Sequence, residues 1–522
     1  MSLKGLSRRA GLFGVVLILA AGRLLAAEPW TEATKLLAND GAAGEHYGER
    51  VAVDGDTIVV GALLADGAQT SSGAAYVYSR QSGGAVVFDA KLFARDGESF
   101  DWFGAALAVE RDTIAVGAVF AEGAVDESGV VYVFKRQVDG SWAEEARLAN
   151  PGGDWDERFG AALTLEGDTL IVGAPQYSGD DYQSGGVFVY ERDTLGVWSL
   201  SQTLTASDGE AWDAFGFDVA LDGGALVVGA PQDNDIGYGS GSIYLFALDA
   251  GGLWVEIDKL NAWDAGEGDG FGAAVDVGSR FAIVGAASDD DRGLNAGAAY
   301  LFRVSATGLT ADSKLLASDG QANDQFGVSV ALHDNRALVG AYWDGVNGSN
   351  SGSAYVFHAD SSGVWSEEDK LVPSDGAVGD WFGQSVGLDA GVAVVGSPND
   401  DDLGDRSGSA YVFESRGFGP RLRVEGDCPG PVRVVLSDAT PKGRVLFVAG
   451  FNPGSTVIPV GPCAGIAFEL DRPFAPGAPR LLRADDAGEI TLEFSAPSSV
   501  CGMFVQALDV ATCRVSDLVT IR

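Results

Sequence analysis

An aromatic-glycine pair recurs through most of the chain at an almost fixed step, and no other feature limits the fold as tightly. It stands at Tyr47-Gly48, Phe103-Gly104, Phe159-Gly160, Phe215-Gly216, Phe271-Gly272, Phe326-Gly327 and Phe382-Gly383, with steps of 56, 56, 56, 56, 55 and 56 residues. Fourteen residues after each aromatic comes Gly-Ala or Gly-Ser, at Gly61, Gly117, Gly173, Gly229, Gly285, Gly340 and Gly396. Twelve further on lies a third glycine: Gly73, Gly129, Gly185, Gly241, Gly297, Gly352 and Gly408. Three spacings held through seven copies identify one supersecondary unit repeated seven times.

Each copy reads as four short strands. In the last, Gln384 to Asp389 alternates, Asp389-Ala390-Gly391 turns, Val392 to Gly396 returns, and a polar loop leads to Ala410-Tyr411-Val412-Phe413. In earlier copies a glycine-containing hairpin then enters a strand such as Trp365–Leu371. Period-two runs between turn residues make antiparallel strands, and four of them make a propeller blade. A blade alone leaves both faces wet, whereas seven in a ring bury them. The fourth-strand pattern precedes every aromatic-glycine mark, including the first at Trp30–Leu37, and does not follow the seventh. The N-terminal strand therefore completes the last blade and latches the circle. The expected fold is all-β: a seven-bladed β-propeller with four-stranded blades of about 56 residues, followed by a small domain.

The marks also resemble a known family. Phe-Gly together with Gly-Ala-Pro, intact at Gly173-Ala174-Pro175 and Gly229-Ala230-Pro231, is similar to the FG-GAP repeats of integrin α-subunit propellers. The run from Lys314-Leu315 through Ser318-Asp319-Gly320 and Phe326-Gly327 to Tyr355-Val356-Phe357 resembles the variant of that repeat found in exported bacterial proteins. The resemblance covers residues 30 to about 416. It implies extracellular recognition or cell adhesion, often supported by calcium. Integrin calcium loops are longer Asp-x-Asp-x-Asp-Gly motifs just before Gly-Ala-Pro. Here that place holds only minimal turns such as Asp54-Gly55-Asp56, Glu166-Gly167-Asp168 and Asp222-Gly223-Gly224.

Residues 1–27 read as a secretory signal: Lys4, Arg8 and Arg9, then the apolar run Ala10–Gly22, then Leu25-Ala26-Ala27 as a cleavage site. No later segment suits a spanning helix, so a secreted, cell-surface or periplasmic location is expected. Residues 28–416 carry 63 acidic against 20 basic side chains, whereas residues 417–522 carry 11 against 10. So negative a propeller repels phosphate backbones, which excludes nucleic acid as a partner and suits cations. The tail, 417–522, holds 11 of the 17 prolines and all four cysteines. Runs such as Val432–Leu436, Val445–Val448, Ile490–Phe494 and Phe504–Leu508 suggest a small β-sandwich-like domain. In an oxidising compartment Cys428, Cys463, Cys501 and Cys513 form two disulfides. Three pairings exist; the sequential one is preferred because Cys501 and Cys513 would staple a hairpin.

Two loops of every blade fall on one face of the ring, and both are acidic. The first carries Glu45, Asp101, Glu157, Asp213, Asp269, Asp324 and Asp380 two residues before the aromatics. It also carries Asp40, Asp96, Asp208, Asp264, Asp319 and Asp375 seven before them. Their recurrence marks them as turn-forming acceptors. The second loop is less uniform. Asp233 and Asp235, Asp289 and Asp291, and Asp400 and Asp402 each begin an Asp-x-Asp stretch with glycine two residues on, as a hard-cation cage begins. Calcium is the cofactor such loops would take; plain solvated acids are the alternative. Trp102, Trp155, Trp212, Trp263, Trp343 and Trp381 lie in or beside the acidic loops, where indoles suit sugars or cationic groups. They are the expected binding residues, with plugs for the blade tops as the alternative.

Catalytic signals are poor. Gly383-Gln384-Ser385-Val386-Gly387 fits the nucleophile-elbow string but lacks the strand-to-helix turn. His46, His333 and His358 occupy different repeat positions. The expected function is recognition of an extracellular protein or glycan by a monomeric propeller rather than catalysis. A structural surface or matrix scaffold, and a carboxylate-based hydrolase or lyase, are the rivals.

Overall fold

The computed structural model describes residues 30–415 except 82–83, 126, 180, 306 and 361–362, and between 421 and 521 the backbone of ten strands. The signal segment and all four cysteines lie outside the described residues.

Residues 30–415 form seven four-stranded antiparallel sheets. Blade six is typical, with Val330–His333, Arg336–Ala341, Ser353–Ala359 and Trp365–Leu371 paired in chain order. First strands of neighbouring blades touch one another around the ring, so they are innermost. The circle closes as the repeat requires. Blade seven is built from Val386–Asp389, Val392–Ser397 and Ser409–Ser415, with Trp30–Leu36 as its outer strand. In that pair Trp30 faces Ser415 and Leu36 faces Ala410. The tail strands, among them Gly430–Ser437, Arg444–Gly450, Ile490–Ala496 and Met503–Asp509, pair antiparallel in small sheets.

The repeated residues have physical jobs. Each mark phenylalanine is buried against two rings of its own third strand: Phe271 lies edge-on 5.3 Å from Tyr300 and 6.0 Å from Phe302. The three glycines meet where blades touch. A β-carbon on Gly229 would stand 2.0 Å from the carbonyl oxygen of Gly272 in the next blade. One on Gly241 would stand 2.0 Å from that of Phe271. At the closing seam Gly396 and Gly408 stand in the same way against Gly48 and Tyr47. Backbone packs directly on backbone there, which only glycine allows. The outer-strand tryptophans bridge blades too, Trp365 lying edge-on 5.3 Å from Phe281 of blade five.

Ser385, in the string that mimics a nucleophile elbow, is part of the closing seam. Its buried hydroxyl accepts the Val51 N–H at 3.1 Å. Carboxylates on the innermost strands do likewise around the axis. Asp54 accepts from Arg111 N, Asp389 from Gly55 N and Asp276 from Leu332 N, each at 2.6 Å, while Asp218 accepts from Val275 N at 2.8 Å. Each bond ties one blade to the next.

Candidate loop-face site

The first acidic loop is shaped by its own carboxylates. Asp213 accepts the backbone N–H of Glu210 at 2.6 Å, Asp324 that of Gln321 and Asp380 that of Ala377 at the same distance. The carboxylates seven before the aromatics take a tyrosine hydroxyl from the third strand, as in Tyr244 to Asp208 at 2.9 Å and Tyr300 to Asp264 at 2.8 Å.

The second loop's acids converge on an ammonium group. Lys259 Nζ lies 2.7 Å from Asp208, 2.8 Å from Asp233 and 2.7 Å from Asp235. Lys314 meets Asp264, Asp289 and Asp291 at 2.9, 2.8 and 2.6 Å. Lys35 meets Asp375, Asp400 and Asp402 at 2.8, 2.8 and 2.7 Å. Each lysine also lies over its blade's tyrosine ring, 4.9–5.1 Å from the centroid. Burial by itself would lower these ammonium groups, but the hydrogen bonds they donate to three aspartates outweigh it and hold them well above their ordinary value. In each of these sets a lysine of the outer strand lies between the three carboxylates. Among the described residues, no group of three or more His, Cys, Asp and Glu side chains is arranged to hold a metal ion.

These charges set opposing pH dependences. Burial pushes Asp213 and Asp218 up to about 6 and Asp276 up to about 7. Burial, then the charge of Asp389, pushes Asp54 up to about 7. The ordinary value is 3.8, so the native state holds these protons more tightly than the unfolded chain does. Their stabilisation is complete below the ordinary value and is lost as pH rises through the folded ones. Asp208, Asp264, Asp319 and Asp375 have the opposite sign. Burial raises them, but lysine and tyrosine hydrogen bonds bring them below 3.8, and their contribution is lost as pH falls through the lowered values. Calorimetry at fixed ionic strength is expected to show the midpoint rising by several degrees from about pH 8 to about pH 5, then falling below about pH 4. A flat profile between pH 8 and 5 would mean that the innermost carboxylates are solvated like surface groups.

The six tryptophans divide by environment. Trp155, Trp212 and Trp263 are 63%, 59% and 48% exposed. Trp263 leans edge-on against Tyr300 at 4.9 Å, and Trp212 touches Tyr182 at 4.9 Å. Trp102, Trp343 and Trp381 are half-buried, Trp102 edge-on to Phe120 at 4.7 Å and Trp381 to Tyr342 at 5.6 Å. Sequence reasoning passed over three exposed rings on the same loops: Phe100, Tyr182 and Tyr238. Position within the repeat could have exposed them. Three residues before the mark aromatic, every blade adopts a left-handed backbone. Blades one, five and seven place Gly44, Gly268 and Gly379 there, and blades three and six Asp156 and Asn323. Only Phe100 and Trp212 put a large side chain on that backbone, at a cost of roughly 1 kcal/mol each. Three residues before the third glycine, blades three and four carry Tyr182 and Tyr238 where blades six and seven carry Ser349 and Asp405.

The histidines make no catalytic set. His333 Nδ1 pairs with Asp389 at 2.9 Å and His358 Nε2 with Asn335 at 2.9 Å, while the His46 backbone N–H donates to Arg406 O. No helix among the described residues is long and apolar enough to cross a membrane.

A model of the FG-GAP repeat matches the chain seven times, at residues 30–78, 86–134, 142–190, 198–246, 254–302, 309–357 and 365–413. Each match opens on the outer strand of one blade and ends on the third strand of the next, so the first and last copies share blade seven. No curated protein matches the chain.

Proposed function

The chain belongs to the FG-GAP repeat family, and on that premise we propose that it is an exported recognition propeller whose loop face grips an extracellular protein. FG-GAP propellers are commonly recognition or adhesion modules and are typical of extracellular proteins. The observation that carries the reading is the break in symmetry on blades two to four. Phe100 and Trp212 take up a backbone that sister blades give to Gly, Asn or Asp, and both rings stay in solvent. Trp155, Tyr182 and Tyr238 extend the same arc. Exposed aromatic anchors ringed by fixed charges are what a binding hot spot requires. The work of the site is binding without turnover, by a single ring. Calcium is left out of the reading, because a lysine ammonium lies between the second-loop aspartates.

The test uses the full exported chain, immobilised and exposed to the cell-surface and secreted fraction of its source. Trp212→Asn and Phe100→Asn copy what blade six carries at this position, so the fold is kept and the backbone relieved. Capture of a retained protein is expected to fall about tenfold or more in each variant, about 1.4 kcal/mol per tenfold, with no loss of melting temperature. Undiminished capture by the double variant would remove the loop face as the recognition surface. Capture abolished by deglycosylating the partner would move the reading from protein to glycan.

A further inference from the structure

Every blade ends on an outer strand whose far side, among the described residues, pairs with no other strand. Such an edge invites pairing with another chain, and charged side chains are one means of discouraging it. Six of the seven outer strands carry at least two charges, such as Glu32 and Lys35 in Trp30–Leu36 or Glu256, Asp258 and Lys259 in Trp254–Leu260. Blade three has none. Its outer strand, Trp198–Leu204, reads Trp-Ser-Leu-Ser-Gln-Thr-Leu, and Ser199, Leu200, Ser201 and Thr203 are exposed. All seven outer strands share a bulge, so the bulge does not set blade three apart. Here it falls on Ser201. In blades one, two, five and six it falls on Asp89, Glu145, Asp312 and Glu368, each paired with an arginine.

Aliphatic side chains stand beside this edge. Gln202 holds the start of the next outer strand with both ends of its amide. Its Nε2 donates to Trp254 O at 2.7 Å, and its Oε1 accepts from Trp254 N at 3.0 Å. Leu253 and Val255 flank Trp254 in the chain, Leu248 faces it in the sheet of blade four, and all three are exposed. At the far end of the strand an open groove of about 730 Å³ runs from Thr203 and Leu204 along Thr205–Glu210 to Phe246 and Glu256 of blade four. Three carboxylates and no cation are among its lining residues. Glu256 accepts the N–H and the hydroxyl of Ser207 at 3.0 and 2.7 Å, and Asp208 is taken by Tyr244 and Lys259. The exposed Glu210 carboxylate has no hydrogen-bond or ion-pair partner among the described residues.

We infer that this edge binds an extended segment of a partner protein, which adds a fifth strand to blade three. The segment is uncharged along the strand and places a basic residue in the groove. Backbone hydrogen bonds to the open edge supply affinity, and alternate side chains supply specificity. An aliphatic residue of the segment packs on Leu200 and its apolar neighbours. Charge complementarity selects this occupant. Residues 28–416 carry 63 acidic against 20 basic side chains, so acidic segments, and a second copy of the same acidic ring, are repelled. A segment with one cation at its end meets an uncharged strand and then the open Glu210. No residue is shared with the loop-face arc.

The test is fluorescence anisotropy of the full chain with labelled hexapeptides, followed by hydrogen exchange on the tightest complex. In the peptides threonine alternates with valine, leucine, isoleucine or phenylalanine, and lysine stands first or last. At least one peptide is expected to bind saturably and to protect amides of Trp198–Leu204. Methylating alternate backbone nitrogens of that peptide is expected to abolish binding, and glutamate in place of its lysine to weaken it about tenfold or more. Leu200→Glu copies blades two, four, six and seven, which carry Glu144, Glu256, Glu367 and Glu32 at this exposed position, so the melting temperature is expected to stay. Leu200→Glu and Glu210→Gln are each expected to weaken the peptide about tenfold, while Trp212→Asn leaves it unchanged. No saturable binding by any peptide would overturn the inference. So would binding indifferent to the methylated nitrogens or to Leu200→Glu, or protection confined to the loop face. A dimer in sedimentation that Leu200→Glu dissociates, with no peptide bound, would give the edge to a second copy and overturn the partner segment.

Discussion

Replacing Gly408 by alanine is expected to cost the propeller about 4 kcal/mol of unfolding free energy. Two penalties combine at this residue. Its φ is 81°, a left-handed backbone that a β-carbon disfavours by roughly 1–2 kcal/mol. The added carbon would also lie 2.0 Å from the carbonyl oxygen of Tyr47, 2.5 Å from its nitrogen and 2.8 Å from its carbonyl carbon. Those are backbone atoms held in a parallel bridge between Tyr47 and Gly408, so they cannot step aside as a side chain could. Gly223 is the control: its φ is 59°, but nothing lies within 4 Å of the added carbon. Gly223→Ala should cost only the backbone part, about 1 kcal/mol. Urea titrations of the two variants separate the terms, and equal midpoints would mean that the seam between blades yields to a methyl group. Because Gly408 sits where the last blade meets the first, its loss also reports on ring closure.

The second large effect concerns the lysine knots. Lys259→Met keeps the length of the side chain and removes its charge, leaving the buried Asp233 carboxylate beside Asp208 and Asp235 with no ammonium. Removing one partner of a buried ion pair costs about 3–5 kcal/mol; here two of the three aspartates are half-exposed, so about 3 kcal/mol is expected. The same substitution frees Asp208, Asp233 and Asp235 to rearrange around a hard cation, an arrangement that the described residues of the parent do not hold. Millimolar calcium is accordingly expected to raise the variant's melting temperature and to leave the parent's unchanged, by scanning calorimetry with magnesium as control. A calcium-selective rise in the parent would show instead that the ion displaces the lysine. A variant as stable as its parent would show that water already screens the knot.

Much of this architecture was legible because a repeat reports its own geometry. Glycine at three fixed places is required wherever backbone meets backbone, as at Gly229 against Gly272, and the requirement returns with every blade. The closure is legible because no fourth strand follows the seventh copy, and Trp30–Leu36 supplies it. The loop chemistry was less legible. Asp233-Asn234-Asp235 reads as the start of a cation cage when only nearby residues are considered. The charge that answers it, Lys259, lies more than twenty residues downstream on another strand. Spacing along the chain cannot show that the fourth strand returns its lysine to the top of the same blade. The tryptophans are legible by type, but their division into an exposed and a half-buried group depends on which way each loop turns.

The sequence alone determined the number of blades, their strand order and the place of closure, because those follow from period-two patterning and from glycines that tolerate no side chain. Only the tertiary structure decided which acids share a lysine and which rings face solvent. Those properties arise between residues far apart in the chain, where Lys35 reaches Asp400 and Trp212 touches Tyr182. Folding the ring brings such residues together, and no local pattern encodes their meeting.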